Sequence, residues 1–276
     1  MDIHTSKKLN NGVAIPFFGL GVFQSKAGDE TAHAVRWAIE AGYRHIDTAA
    51  IYQNEESVRR GIVESGVPRE QIFLTTKLWN GDMRKGRQRE AFENSLKLLG
   101  TDYVDLYLIH WPVPGKYKKS WKVLEELYHS GRVRAIGVSN FHQHHLDDLL
   151  ADAKVLPAVN QVECHPRLSQ EPLMAYCQKL NIAFEAWSPL GGTGGDLLQD
   201  ERLKKIGAKY HKTPAQVVLR WDLQRGMITI PKSVHQDRII ANTDIYDFEL
   251  TPEDMAAING MNENRRVGAD PDNFDF

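Results

Sequence analysis

Tyr103-Val104-Asp105-Leu106-Tyr107-Leu108-Ile109 is apolar at nearly every position, and Val133-Arg134-Ala135-Ile136-Gly137-Val138 follows it after a helical stretch at residues 121–130. A run with apolar residues on both parities suits a strand covered on both faces, and a helix between two such strands makes a parallel crossover unit. The unit repeats in both directions. Strand starts at Phe18, Arg44, Ile72, Tyr103, Val133, Val159, Ala183 and Ile228 bring the count to eight. Helical stretches fall at residues 29–41, 55–65, 87–99, 121–130, 144–150, 171–180, 201–210, 214–224, 236–242 and 252–261, which leaves two extra helices. Strict alternation predicts the α/β class and a (β/α)8 TIM barrel, one domain over residues 1–276. Apolar residues flanking Asn11-Gly12 predict an N-terminal β-hairpin, placed as a plug at the bottom of the barrel. The open doubly wound alternative expects Gly-x-Gly-x-x-Gly after the first strand. Here Gly19-Leu20-Gly21 runs on to Gln24, and the Gly-rich residues 191–195 also miss that spacing.

A formal net charge of −2 offers no footprint for nucleic acid or an anionic membrane, so neither is an expected partner. Cys164 and Cys177 lack zinc spacing and are expected to stay reduced. The opening Met1-Asp2-Ile3-His4 has no charged-then-apolar signal pattern, and no apolar run reaches bilayer length. A cytoplasmic monomer is expected.

In a barrel of this kind, chemistry gathers at the C-terminal ends of the strands. Those positions hold Asp47 and Tyr52, Lys77 and Trp79, His110 and Trp111, Ser139 and Asn140, Gln161 and Glu163, Trp187 and Ser188, Lys232 and Ser233. Taken singly, each has a plain structural use: an Asp at a strand end caps a helix, and an isolated Lys is usually solvated. Lys77 and His110 both follow buried runs, however, and unpaired charge there costs several kcal/mol, about 2–7 for a polar group alone. Asp47, Tyr52, Lys77 and His110 together suit proton transfer at a carbonyl. A tyrosine titrates near pH 10, and a neighbouring ammonium is expected to lower that value, with Asp47 holding the ammonium. His110 would orient the substrate oxygen, and Phe23, Trp79 and Trp111 would form the apolar walls of a substrate pocket.

At these residues the chain resembles the aldo-keto reductases, in the branch of 2,5-diketo-D-gluconate reductase and prostaglandin F synthase. The resemblance lies in Gly42-Tyr43-Arg44-His45-Ile46-Asp47-Thr48-Ala49-Ala50-Ile51-Tyr52-Gln53-Asn54-Glu55, Asp105-Leu106-Tyr107-Leu108-Ile109-His110-Trp111-Pro112, Ile136-Gly137-Val138-Ser139-Asn140-Phe141 and Ile230-Pro231-Lys232-Ser233. It implies an NADP-dependent oxidoreductase acting on CH–OH and carbonyl groups, with a catalytic tetrad of Asp47, Tyr52, Lys77 and His110. It further implies that Ser139, Asn140 and Gln161 hold the nicotinamide carboxamide of NADPH and that Trp187 stacks on its ring. Ser188, Leu190 and Gly191 fall where the family wraps the pyrophosphate. Lys232, Ser233, Val234, Arg238 and Asn242 fall where it holds the adenosine ribose, 2′-phosphate and adenine. Two cations suit a dianionic phosphate, which favours NADPH over NADH. Ala241 departs from the family, in which many members carry an acid just before the Asn that faces adenine. The expected substrates are small-molecule carbonyls: 2,5-diketogluconate, methylglyoxal or aromatic aldehydes. The short tail, residues 267–276, suggests an open pocket.

Two other classes compete. Some barrels of this type serve as redox-sensing accessories of ion channels, and NADPH consumption with a simple aldehyde separates that role from turnover. A Schiff-base aldolase using Lys77 would leave Tyr52, Trp187 and the Lys232 and Arg238 pair without a task. No metal is expected, because His142, His144 and His145 do not share one helical face cleanly. Cys164 reads as an inert neighbour of the pocket, with no activating cation identifiable beside it.

Overall fold

Asn11-Gly12 turns the chain between β1 (Ser6–Lys8) and β2 (Ala14–Pro16), which pair antiparallel with Lys8 opposite Ala14. Gly12 takes φ of 89°, a conformation that costs a residue without a Cβ little. The computed structural model describes residues 1–192 and 194–276. Thr193, within the Gly-rich stretch singled out above, lies outside the described residues.

Eight parallel strands follow in consecutive order: β3 (Leu20–Gly21), β4 (His45–Asp47), β5 (Phe73–Leu78), β6 (Val104–Ile109), β7 (Val133–Ser139), β8 (Val159–Glu163), β9 (Ala183–Trp187) and β10 (Ile228–Thr229). The ring closes through a parallel bridge between Phe18 and Thr229, continued by Gly21 N–H donating to the Pro231 carbonyl at 3.1 Å. This is the expected (β/α)8 barrel. Its helices are Asp29–Glu40, Glu55–Glu64, Gln88–Leu99, Tyr117–His129, Gln143–Leu150 and Glu171–Lys179, then Glu201–Tyr210 and Pro214–Gln224 before β10, and Gln236–Ala241 and Pro252–Asn259 after it. A short helix, Asn80–Lys85, follows β5 at residues the sequence left as loop. The helix expected from residue 121 begins at Tyr117, whose ring is buried edge-on against Phe141 and whose hydroxyl donates to Asp148.

Side chains alternate across a strand, so each strand sends every second residue into the barrel. At the lower end these are Phe73, Leu106, Ala135, Val159, Ala183 and Ile228, which form one apolar cluster with Leu9 and Ile15 of the hairpin. The plug is therefore a packed core layer. The residues of the other parity, such as Ile46, Leu74, Tyr107, Ile109, Val138 and Phe184, belong to the larger core shared with the helices. Followed upward, the inward rows turn polar at fixed steps of two: Phe73, Thr75, Lys77; Val159, Gln161, Glu163; Ala183, Glu185, Trp187. Leu106 and Leu108 lead to His110, and Ala135 and Gly137 lead to Ser139. Each row ends on a side chain at the upper mouth.

Candidate active site

Lys77 sits at the centre, with its side chain fully buried. Its ammonium donates to Asp47 Oδ1 at 2.6 Å and to the Thr48 carbonyl at 2.9 Å, and stands 3.5 Å from the Tyr52 hydroxyl. Burial is the largest single influence and works against its proton. The Asp47 charge and hydrogen bond, with the Tyr52 and Glu185 charges, together outweigh it, and the Lys77 pKa is raised. Asp47 is held on its other oxygen by Gln161 Nε2 at 2.8 Å. Tyr52 is carried on a single 3-10 turn, Ala50–Tyr52, directly above β4.

The expectation for Tyr52 is corrected here. Desolvation, with the Asp47 charge behind it, outweighs Lys77, so the hydroxyl is pushed above its usual value instead of below. His110, 7% exposed, has its pKa driven well below the usual imidazole value by burial and then by Lys77, and is neutral. Its Nδ1 is buried without a partner among the described residues. Tyr52 and His110 meet ring edge to ring at 5.7 Å, so phenol and imidazole flank one spot.

Around that spot the apolar wall is larger than the sequence indicated. Phe23 lies 5.0 Å from the Tyr52 ring and is 55% exposed, and Trp79 lies 5.3 Å from His110. Phe274 and Phe276 complete it. Phe276 stacks on Trp79 at 5.8 Å and meets Trp111 at 5.1 Å, and Phe274 meets Trp111 at 5.1 Å. The Phe276 backbone oxygen accepts from Arg84 at 2.7 Å and Asn80 at 3.1 Å. The tail thus folds over the mouth, correcting the open pocket read from its length. The signal was available in two aromatic residues within the last three positions.

A second group of the expected residues lines the adjoining edge. Ser139 Oγ donates to the Gln161 carbonyl at 2.8 Å, Asn140 Nδ2 to the His110 carbonyl at 2.9 Å, and Trp187 Nε1 to Asn140 Oδ1 at 2.9 Å. Asn140 and Ser188 take left-handed φ of 65° and 49°, which turns the chain sharply at the ends of β7 and β9. Trp187 is half-buried. Gly268 lies so close that a Cβ there would come within 2.4 Å of the indole Cη2, and Glu163 holds this piece of tail by accepting from the Val267 and Gly268 amides. Leu190 and Gly191 follow, the Gly191 amide bonded to the Ser188 carbonyl at 2.9 Å. Farther round, Lys232, Ser233 and Val234 lead from β10 into the helix Gln236–Ala241, which carries Arg238 and is followed by Asn242. Lys232 is half-buried and Arg238 exposed, and neither forms an ion pair among the described residues.

Two neighbouring readings are also revised. Arg225 Nη1 lies 3.8 Å from Cys164 Sγ, so a cation does stand beside that thiol. Burial still pushes the thiol up, and Cys164 remains unreactive on those grounds. The geometric reason given against a metal also fails, since His142, His144 and His145 do converge, on Asp272.

Comparison with known proteins shows the family and the fold. The sequence model of the aldo/keto reductase family matches residues 17–263. The chain is 56% identical to the glyoxal reductase of Bacillus subtilis, over 98% of this chain and 97% of that protein. It is 54% identical to the 9,11-endoperoxide prostaglandin H2 reductase of Trypanosoma cruzi, over 96% and 94% respectively. Among solved structures, a Bombyx mori aldo-keto reductase in complex with NADP superposes with a TM-score of 0.90 at 41% identity, covering 99% of this chain and 97% of that one.

Proposed function

This chain belongs to the aldo/keto reductase family, and on that premise we propose that it uses NADPH to reduce small or polar aldehydes and ketones to alcohols, with Tyr52 as proton donor. One observation carries the reading: a fully buried ammonium, fixed by Asp47, 3.5 Å from a tyrosine hydroxyl that shares an aromatic pocket with a neutral imidazole.

The donor set suits the cofactor. Lys232 and Arg238 are cations without ion-pair partners among the described residues; Ser233 adjoins Lys232 in the chain, and the Asn242 backbone amide donates to the Arg238 carbonyl at 2.9 Å. A dianionic 2′-phosphate matches that pair, with Arg238 able to grip it by two parallel bonds. Ser188, Leu190 and Gly191 would follow the pyrophosphate, and the half-buried Trp187 face would take the nicotinamide, with Ser139, Asn140 and Gln161 at its carboxamide. Bound there, NADPH supplies a hydride to the carbonyl carbon.

The chain does the rest. Neutral His110 donates a ring N–H to the substrate oxygen without bringing a second charge beside Lys77. Tyr52 keeps its proton until negative charge develops on that oxygen, then releases it. The phenolate left behind is stabilised by Lys77, so the ammonium acts on the product of proton transfer more than on the resting tyrosine. Trp79, Trp111 and Phe23 exclude water during the step. The same bonds count against an aldolase: a Lys77 held by Asp47 and the Thr48 carbonyl, its pKa raised, is a poor amine nucleophile. Methylglyoxal, 2,5-diketogluconate and aromatic aldehydes form the panel to assay. Tyr52→Phe is expected to cut turnover by about 10²–10⁴-fold, the usual scale for a general acid, while NADPH still quenches tryptophan fluorescence. Turnover near wild type would overturn the assignment.

A further inference from the structure

Asp272, in the tail, lies over the start of the helix Gln143–Leu150, where three histidines meet it. Its Oδ2 is 3.0 Å from His142 Nδ1, and its Oδ1 is 3.0 Å from His144 Nε2 and 3.5 Å from His145 Nε2. One ligand atom from each of the four residues lies within 4.8 Å of all the others. Helical spacing hides this. His142 is the N-cap, extended at φ −76° and ψ 172°, so its ring is free of the helix's spacing and swings back toward the other two.

The geometry points to a binding site for a borderline divalent transition ion, of which Zn²⁺ is the type, formed by His142, His144, His145 and Asp272. Three imidazoles and one carboxylate are donors such ions accept, whereas Mg²⁺ and Ca²⁺ take oxygen. Bonds of about 2.0–2.2 Å require the four atoms to draw in by roughly an ångström. His144, 63% exposed in its side chain, and Asp272, 42% exposed, can do so by rotation. Two present bonds must yield. Arg266 Nη2 lies 2.9 Å from His142 Nε2, and the His142 amide donates to His145 Nδ1 at 3.1 Å. An ion on the opposite nitrogens moves a ring proton to each of these positions and turns the Arg266 guanidinium away. Asp272 is two residues before Phe274, so an ion here ties the aromatic lid to the barrel.

The test uses the full chain, tag-free and stripped with a chelator, titrated calorimetrically with ZnCl₂ and followed by Co²⁺ absorption. One ion per chain is expected, with the strong visible bands of four-coordinate Co²⁺. His144→Ala and Asp272→Asn should each weaken Zn²⁺ by at least about tenfold, the scale seen even for partners of metal ligands, and should abolish those bands. Arg266→Gln should bind at least as tightly as wild type. No binding, more than one ion per chain, wild-type affinity in Asp272→Asn or weaker binding in Arg266→Gln would each overturn the site. Aldehyde turnover is read separately, so the reductase assignment and the metal site can fail independently.

Discussion

Lys77 and the Lys232 and Arg238 pair all bring positive charge to the barrel mouth, under opposite arrangements. Lys77 has no exposed side-chain surface and three oxygens near its ammonium. Lys232 and Arg238 stand at the rim, one half-buried and one exposed, without ion pairs among the described residues. A group that steadies charge at a reacting bond must already be in place, because reorganisation during the step adds to the barrier. A group that grips a ligand phosphate is better left hydrated and unpaired until the ligand arrives, since an internal partner would have to be displaced first. The first region trades stability for geometry, and the second keeps its charges available.

The largest break in that comparison is Lys77→Met. It leaves the Asp47 carboxylate buried without its cation, and loss of about 3–5 kcal/mol of unfolding free energy is expected in urea melts. A companion Asp47→Leu should restore part of it. A loss under 1 kcal/mol would mean that the pair is not the buried charge system described. Next comes Asp222→Asn, which asks what a buried carboxyl does with little help from a cation. Burial pushes Asp222 up to about 8, its support coming from the Thr229 hydroxyl at 2.7 Å and weakly from Arg225. The unfolded group keeps a proton only below about 4. Between those values the folded chain binds a proton that the unfolded chain has released, and this contribution to stability falls as pH rises. The variant should therefore gain on wild type progressively from pH 4 to pH 8 and level off above. A difference constant across that range would contradict the buried, protonated state.

At the rim the effects are smaller and fall on binding. Arg238→Ala removes both bonds to the phosphate and should weaken NADPH by at least about tenfold, the lower bound set by one charge-assisted hydrogen bond, with NADH little changed in fluorescence titration. Equal losses for both would remove Arg238 from the 2′-phosphate. The smallest effect expected is that of Phe276→Ala. Stripping one aromatic partner from Trp79 and Trp111 removes about 1 kcal/mol of contact, so kcat/KM for aromatic aldehydes should change roughly fivefold more than for methylglyoxal.

Much of this was legible because barrel chemistry gathers where strands end. The apolar run ending at Ile109 delivers His110 to the mouth, and strand ends likewise place Lys77 and Gln161, whereas a run apolar on both parities does not say which of its residues face inward. What escaped depended on residues far apart in sequence. Asp272 meets His142 across 130 positions, and Arg225 meets Cys164 across 61. Phe274 and Phe276 looked like the end of a short tail because nothing local says which way it turns. The direction of the Tyr52 shift was missed for another reason. Lys77 and Asp47 were both identified, but the depth at which Tyr52 is desolvated belongs to the whole barrel and outweighs the nearer charge.

The inward rows limit how this protein can vary. One residue inserted within β5, between Phe73 and Lys77, would reverse the parity above it and turn Lys77 toward the helix layer. The same insertion in the loop after β10 would leave every row intact. Changes in length are therefore confined to the loops between the strands, while the inward rows change only by substitution.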